Sequence, residues 1–361
     1  MAIKILYILP SFNKFGGTPK KTLDLIKHAP NECYLYVWTN AYAKEFKDDF
    51  IQSGAKIFVG DHKRNILKHI SNLLKIIDTY NIEIIQSQFF FGELLAGILK
   101  ILRPKVKLIV AFVGSLSPSG YRKKLLNILY NKVDTFIYIS EYVKTEKIKI
   151  YPKLKHSKGL VIYNGTNKPN SIKHNILNKE QGTINILCVS GLSKIKNVQV
   201  LIDCMVILLE KNYDQIQFLI AGDGPEKENF EKQLLEKHLS KNFKLLGYQK
   251  NIGDLYNRTN IFAHPCYVEG FGIAVAEAMV EEKPIIVSNA GALPELIKNN
   301  ETGLLVNAFD AQQWADAIIK LIENPDLANK LAKNAKLYAE TQFSVKRFVE
   351  DYNKLYKNLM N

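Results

Sequence analysis

The sequence predicts an α/β protein built from two doubly wound, Rossmann-like domains that face a central cleft. Three observations carry that prediction. Short apolar runs alternate with segments of helical period along almost the whole chain. Runs such as 107–113 are apolar at consecutive positions, as strands covered on both faces of a parallel sheet are. The alternation breaks once, over 163–183, where Gly, Pro and Asn cluster, and then restarts.

In the first half the strand-like runs are 4–9, 34–38, 56–59, 83–87, 107–113 and 135–139. Helical spacing is clear at 22–28 and clearest at 66–80. In the second half the runs are 184–189, 217–221, 243–246, 261–264, 284–287 and 304–306, with a helix over 198–209. From 311 to 360 the period is helical almost throughout. The resulting division is a first domain at 1–165, a linker at 166–183, a second domain at 184–340, and a final helix at 341–361 crossing back to the first domain. Two sheets of this kind place ligand sites beyond the carboxyl ends of their strands, a layout suited to joining two substrates.

Composition excludes several classes. With 361 residues, 47% hydrophobic and 23% charged, the chain is too apolar to be disordered. Four cysteines, Cys33, Cys188, Cys204 and Cys266, make neither a disulfide framework nor a zinc site, so a reducing, cytoplasmic setting is expected. The start MAIKILYILP reads as a first strand rather than a leader, and the apolar run 89–102 is too short to span a bilayer. No Walker loop, Ser-His-Asp order, zincin motif or Asp-x-Asp pair is present, and a metal site is not expected.

The net charge of +14 is lopsided. Residues 1–180 hold 29 Lys and Arg against 13 Asp and Glu, whereas 181–361 hold 20 against 22. The first half is thus suited to an anionic surface, or carries a solvated lysine-rich face. The segment 121–130, YRKKLLNILY, mixes cations and apolar residues at helical spacing. It fits either an anionic leaflet or an ordinary amphipathic helix on a sheet. No nucleic-acid-binding motif accompanies the charge, and no nucleic-acid partner is expected.

The chemistry concentrates in 264–279, HPCYVEGFGIAVAEAM. A strand ends near His264, a loop carries two glycines around an aromatic, and a helix starts near Gly272 or Ile273. The unpaired N–H groups of that helix start form a cradle for a phosphate, and Gly270 and Gly272 allow close approach. Glu269 and Glu277, eight residues apart, flank the cradle, and carboxylates accept hydrogen bonds from hydroxyl-rich ligands. The plain alternative is a solvated Glu269 and a locally paired Glu277. His264 shows no partner carboxylate in the sequence and reads as structural, as does Cys266.

This segment resembles the E-x7-E signature of family 4 glycosyltransferases, retaining enzymes of the GT-B fold. The resemblance extends over nearly the whole chain. It runs through Ala221-Gly222-Asp223-Gly224-Pro225, Leu246-Gly247, Glu269-Gly270-Phe271-Gly272, Glu277-Ala278-Met279, Gly291, Pro294-Glu295 and Gly303-Leu304-Leu305-Val306. It implies that the domain at 1–165 binds the acceptor and the domain at 184–340 the nucleotide-sugar donor, with Glu277 on the donor's ribose and Glu269 on its sugar. The backbone of Gly270, Phe271 and Gly272 would hold the sugar and diphosphate. Lys196 falls on the family's phosphate lysine, and Gly16 and Gly17 on its glycine-rich loop. Tyr248 and Gln249 would lie near the base.

Two positions depart from the family pattern. Gly191 stands where an arginine is usual, leaving Lys194 as the nearest substitute cation. Val113 stands where a histidine touching the sugar is usual, which favours a deoxy or acetamido donor. The expected activity is retaining, metal-independent transfer of a glycosyl group from a nucleotide-diphospho-sugar to a glycan or lipid-linked acceptor. Envelope polysaccharide or lipooligosaccharide assembly, at an anionic membrane surface, is the expected setting. The competing readings are a non-catalytic GT-B subunit, and another GT-B enzyme such as a sugar-nucleotide epimerase or an inverting transferase.

Overall fold

The computed structural model describes residues 2–12, 17–39, 44–63, 65–169 and 182–361. The chain divides into two compact units. Unit 1 comprises Met1–Gly165 and Val345–Asn361, and unit 2 comprises Thr166–Ser344.

Unit 1 opens with β1 (Lys4–Leu9), α1 (Gly17–His28), β2 (Glu32–Val37), α2 (Lys44–Gln52) and β3 (Lys56–Val59). It continues with α3 (Ile66–Tyr80), β4 (Ile84–Ser87), α4 (Phe89–Leu102), β5 (Lys107–Phe112), α5 (Gly120–Leu129), β6 (Thr135–Tyr138), α6 (Glu141–Ile150) and β7 (Gly159–Val161). All seven strands pair in parallel, in the order β3-β2-β1-β4-β5-β6-β7. The consecutive apolar residues of β1 explain the two-sided burial. Ile5, Tyr7 and Leu9 join one core cluster, while Leu6 and Ile8 join another on the opposite face.

Local sequence fixes the helix ends. The Asn65 side chain accepts from Lys68 N at the start of α3, and Asn81 ends it in the left-handed region at φ 54°. Between these ends Ile70, Leu73, Ile76 and Ile77 bury one stripe. The three-residue β7 is absent from the sequence-based assignment. It is an edge strand with an exposed central Leu160, too short and too mixed to show a period.

Unit 2 consists of β8 (Ile184–Val189), α7 (Gln199–Glu210), β9 (Ile216–Ala221), α8 (Lys227–Glu236), β10 (Phe243–Gly247), α9 (Ile252–Arg258) and β11 (Ile261–His264). After these come α10 (Ile273–Val280), β12 (Ile285–Ser288), α11 (Leu293–Leu296), β13 (Leu304–Val306), α12 (Ala311–Glu323) and α13 (Pro325–Gln342). Its strands are also parallel, in the order β10-β9-β8-β11-β12-β13. Each sheet therefore reverses direction beside its first strand, between β1 and β4 in unit 1 and between β8 and β11 in unit 2. In doubly wound sheets that reversal opens a crevice at the strand carboxyl ends.

The helical tail is three helices. Pro325 lacks a donor and starts α13 at its first position. A last helix, α14 (Val345–Met360), follows a break at Phe343–Ser344 and packs in unit 1. Val345, Phe348, Val349, Tyr352, Leu355 and Tyr356 are buried there against residues of β1, β2, β4 and β5. Tyr356 Oη lies 3.1 Å from Tyr7 Oη and donates to Gln86 Oε1 at 2.7 Å. Of the segment assigned as linker, 170–181 lie outside the described residues. Its start is tied to unit 2, where Thr166 N donates to Phe343 O at 2.6 Å and Lys168 Nζ lies 3.4 Å from Glu281 Oε2.

Since α14 covers the sheet of unit 1, its apolar face supports that core. Truncating Phe348 to Ala is expected to cost about 3–5 kcal/mol, measured by urea unfolding of the full chain.

Candidate active site

The site is assembled at the switch point of unit 2. After β8, the loop from Ser190 leads into a single 3-10 turn at Lys194–Lys196, ended by Asn197 at φ 53°. After β11, residues 265–272 return past that turn, and Tyr267 N donates to Ile195 O at 3.1 Å. The two loops thereby bring together side chains separated by 73 residues. Lys196 Nζ donates to Glu269 Oε2 at 2.7 Å.

Glu269 has further partners. His264 Nε2 lies 3.1 Å from the same Oε2, and Gly270 N donates to Oε1 at 3.1 Å. Burial raises the carboxyl's affinity for a proton. The His264 hydrogen bond and the Lys196 charge outweigh it and hold the group well below the usual carboxylate range. Burial likewise opposes the Lys196 charge, but Glu269 reverses the balance and leaves the ammonium above its ordinary value. The site therefore holds a fixed carboxylate and a fixed ammonium through the neutral range.

Two glycines give this arrangement its backbone. Gly291, at φ 59°, lies so close behind Glu269 that a Cβ there would sit 2.6 Å from Glu269 O and 2.7 Å from Glu269 N. Ala292 N donates to Glu269 O at 2.9 Å from the same side. Gly272, at φ 100°, turns the chain into α10, whose start carries no side-chain cap. The Phe271 ring is buried edge-on against Phe343, with centroids 5.5 Å apart, so this residue turns its side chain into the core.

A cation site is a poor match for these residues. His264, Cys266 and Glu269 each bring a possible ligand atom within 4.8 Å of the others. The Lys196 ammonium already occupies Glu269 Oε2, and burial pushes the Cys266 thiol up to about 11, keeping it protonated. The arrangement suits an anionic ligand held by a lysine and a helix start more than a metal ion.

Two family models match consecutive parts of the chain. Glycosyltransferase Family 4 covers residues 15–168, and Glycosyl transferases group 1 covers 170–338. The chain belongs to glycosyltransferase family 4. As such it transfers a sugar from a nucleotide sugar. An uncharacterised glycosyltransferase of Methanocaldococcus jannaschii is 25% identical, with 98% of each chain covered. A glycosyltransferase from Rickettsia africae superposes with a TM-score of 0.86 at 20% identity, over 100% of this chain and 99% of that one. HepE of Anabaena, in complex with UDP and glucose, superposes at 0.85 and 21% identity, over 99% of this chain and 100% of its own. These structures establish the GT-B fold.

Within this family 4 glycosyltransferase, the sequence-derived residues fall in several places. Glu269, Lys196 and Gly270 are joined by hydrogen bonds, Gly272 follows at the start of α10, and Phe271 between them gives only its backbone to this loop. Glu277 is buried in the second turn of α10. Lys194 is exposed on the 3-10 turn, two residues before Lys196. Gly191 is also exposed, and a Cβ there would meet only Asp223 O at 3.6 Å. Gly17 is the first residue of α1, and Gly16 lies outside the described residues. Tyr248 is half exposed, and Gln249 Nε2 donates to Leu246 O at 2.6 Å.

The reading of His264 needs correction. It does have a partner carboxylate, Glu269, reached because the loop folds back on the strand end. The five-residue separation from Glu269 was visible in the sequence, but the return of the loop was not. Gly291 was noted only as part of a motif, whereas its position against the Glu269 backbone gives it a reason.

Two outcomes follow for this site. Gly291→Ala is expected to displace Glu269 and lower turnover at least tenfold, read in a donor-consumption assay, with the fold retained by circular dichroism. Glu269 has a depressed folded pKa, so its contribution to stability is present above about pH 4.3 and lost as pH falls toward the folded value. Urea midpoints of wild type and Glu269→Gln are expected to differ at pH 6 and to converge on acidification.

Proposed function

We propose that this enzyme is a retaining transferase moving a hexosyl or N-acetylhexosaminyl group from a nucleotide-diphospho-sugar to a hydroxyl of a glycan or lipid-linked acceptor. Its setting in this reading is cell-surface polysaccharide or lipooligosaccharide assembly, from the cytoplasmic side of a membrane. The observation that carries the reading is the half-buried Lys196–Glu269 contact beside the uncapped start of α10. It places a cation, a carboxylate and a helix N-terminus at one switch point, which suits a diphosphate attached to a hydroxyl-rich group. The HepE structure with UDP and glucose supports a donor of this class.

In the step itself, the bond between the sugar's anomeric carbon and the diphosphate oxygen breaks, and the electron pair leaves with the phosphate. The acceptor oxygen bonds to that carbon on the same face. Its proton passes to the departing phosphate, so no protein base is required. Charge grows on the leaving diphosphate, and Lys196, exposed Lys194 and the first turn of α10 are arranged to meet it. Glu269, already ionised and tied by three donors, orients the sugar rather than attacking it. Glu277 takes the ribose hydroxyls. The chain's own cations replace a divalent ion in this scheme, and unit 1 takes the acceptor.

Val113 is half-buried just after β5. An apolar residue there favours a donor that lacks or masks a hydroxyl, which a panel of nucleotide sugars scored by mass spectrometry resolves. With the preferred donor, Glu269→Gln is expected to lower turnover by about 100-fold and Glu277→Gln to raise the donor KM roughly tenfold. Near-normal kinetics in both variants would overturn the assignment, and a product of inverted anomeric configuration by NMR would overturn retention. Because the space at Gly191 is open, Gly191→Arg is expected to fold normally and lower the donor KM several-fold.

A further inference from the structure

Unit 1 carries a cavity of about 640 Å³ that the donor chemistry does not use. Its walls come from strand and helix ends on one side of the sheet. Trp38 follows β2, Phe90, Phe91 and Leu94 lie in the first turns of α4, and Tyr121 and Leu125 lie in α5. The volume falls in the range of small-ligand pockets, and the lining is mainly aromatic and aliphatic. Among the described residues its polar lining is Thr39 and two cations, Lys63 and Arg122, with no carboxylate.

Arg122 is held at the rim by aromatic faces. Its guanidinium lies 5.4 Å from the Phe90 ring centroid and 5.8 Å from that of Tyr121. Among the described residues no carboxylate forms a salt bridge with it. Beside it, α5 buries only Leu126 and Leu129, while Tyr121 is 72% and Ile128 65% exposed. Tyr121, Lys124, Leu125 and Ile128 share one helical face, so the apolar lining continues outward onto a cationic, solvent-facing stripe. Leu116, in the loop before α5, adds a further apolar side chain at 81% exposure. A bare apolar cavity would call for no cations, and a bare phosphate site would call for no aromatic walls.

We infer that this cavity binds a phosphate-bearing lipid, with its first apolar carbons against Trp38, Phe90 and Tyr121 and its phosphate at Arg122 and Lys63. The inference rests on the reading of unit 1 as the acceptor side and names the acceptor's class. Charge complementarity selects this occupant: the rim is cationic, the walls are apolar, and the adjoining stripe of α5 combines both as a headgroup region requires.

Trp38 supplies the test. The chain has two tryptophans, and Trp314 is fully buried in unit 2, so a ligand in the cavity acts on the Trp38 emission. The full chain is titrated with farnesyl phosphate, farnesol, inorganic phosphate and maltotriose, each below any micelle concentration. A saturable change is expected with farnesyl phosphate and at least tenfold weaker binding of the other three. Exposed Arg122→Gln and Tyr121→Ala are each expected to weaken farnesyl phosphate at least tenfold, with the fold retained by circular dichroism. Equal affinity of wild type and both variants, or tightest binding by maltotriose, would overturn the inference. Donor hydrolysis measured in parallel keeps the two readings apart, since its loss contradicts the transferase assignment whatever the lipid does.

Discussion

A carboxylate largely withdrawn from water in the loop beyond a parallel strand is costly unless donors surround it, and the site of unit 2 is organised around meeting that requirement at Glu269. Lys196, His264 and the Gly270 amide all converge on its two oxygens. The convergence needs the loops after β8 and β11 to touch, which the Tyr267–Ile195 hydrogen bond secures. It also needs the backbone of Glu269 to be backed without a side chain, which Gly291 provides. One ion pair thereby fixes two loops, a glycine from beyond β12, and the approach to α10. An anionic ligand entering here meets groups whose charges and directions are already set.

How much of this was legible in the sequence differs by level. The strands of both sheets could be read because parallel strands covered on two faces are nearly continuous apolar runs. Their ends agree with the structure to within a residue or two where the flanks are polar, as at β8 and β11. The edge strand β7 could not be read, because three residues with an exposed centre hold no period. The division of the tail into α12, α13 and α14 depends on Pro325 and on the turn at Phe343–Ser344, local events inside an otherwise unbroken helical pattern.

The site was legible where chemistry and spacing coincide. Glu269, Glu277 and the glycines of 270–272 lie within one short segment. What was hidden arises from tertiary return. His264 finds its carboxylate only after the loop doubles back, and the direct bond from Lys196 requires two strands that are adjacent in space but distant in sequence. The aromatic cavity of unit 1 was hidden for the same reason, since Trp38, Phe90 and Tyr121 come from three separate elements. The helix 121–130 was legible as amphipathic. Its structure departs from the ordinary case in leaving Tyr121 and Ile128 in solvent.

The placement of α14 bears on how the molecule is made. Its buried face, from Val345 to Tyr356, completes a hydrophobic cluster whose other members run from Ile5 to Ile162, in the first half of the chain. On a ribosome the first sheet therefore emerges long before its cover, and stays partly bare while all of unit 2 is synthesised. Unit 2, contiguous from Thr166 to Ser344, has no such wait. The order of maturation is thus the reverse of the order of translation. Residues 345–356 seal strands made long before them.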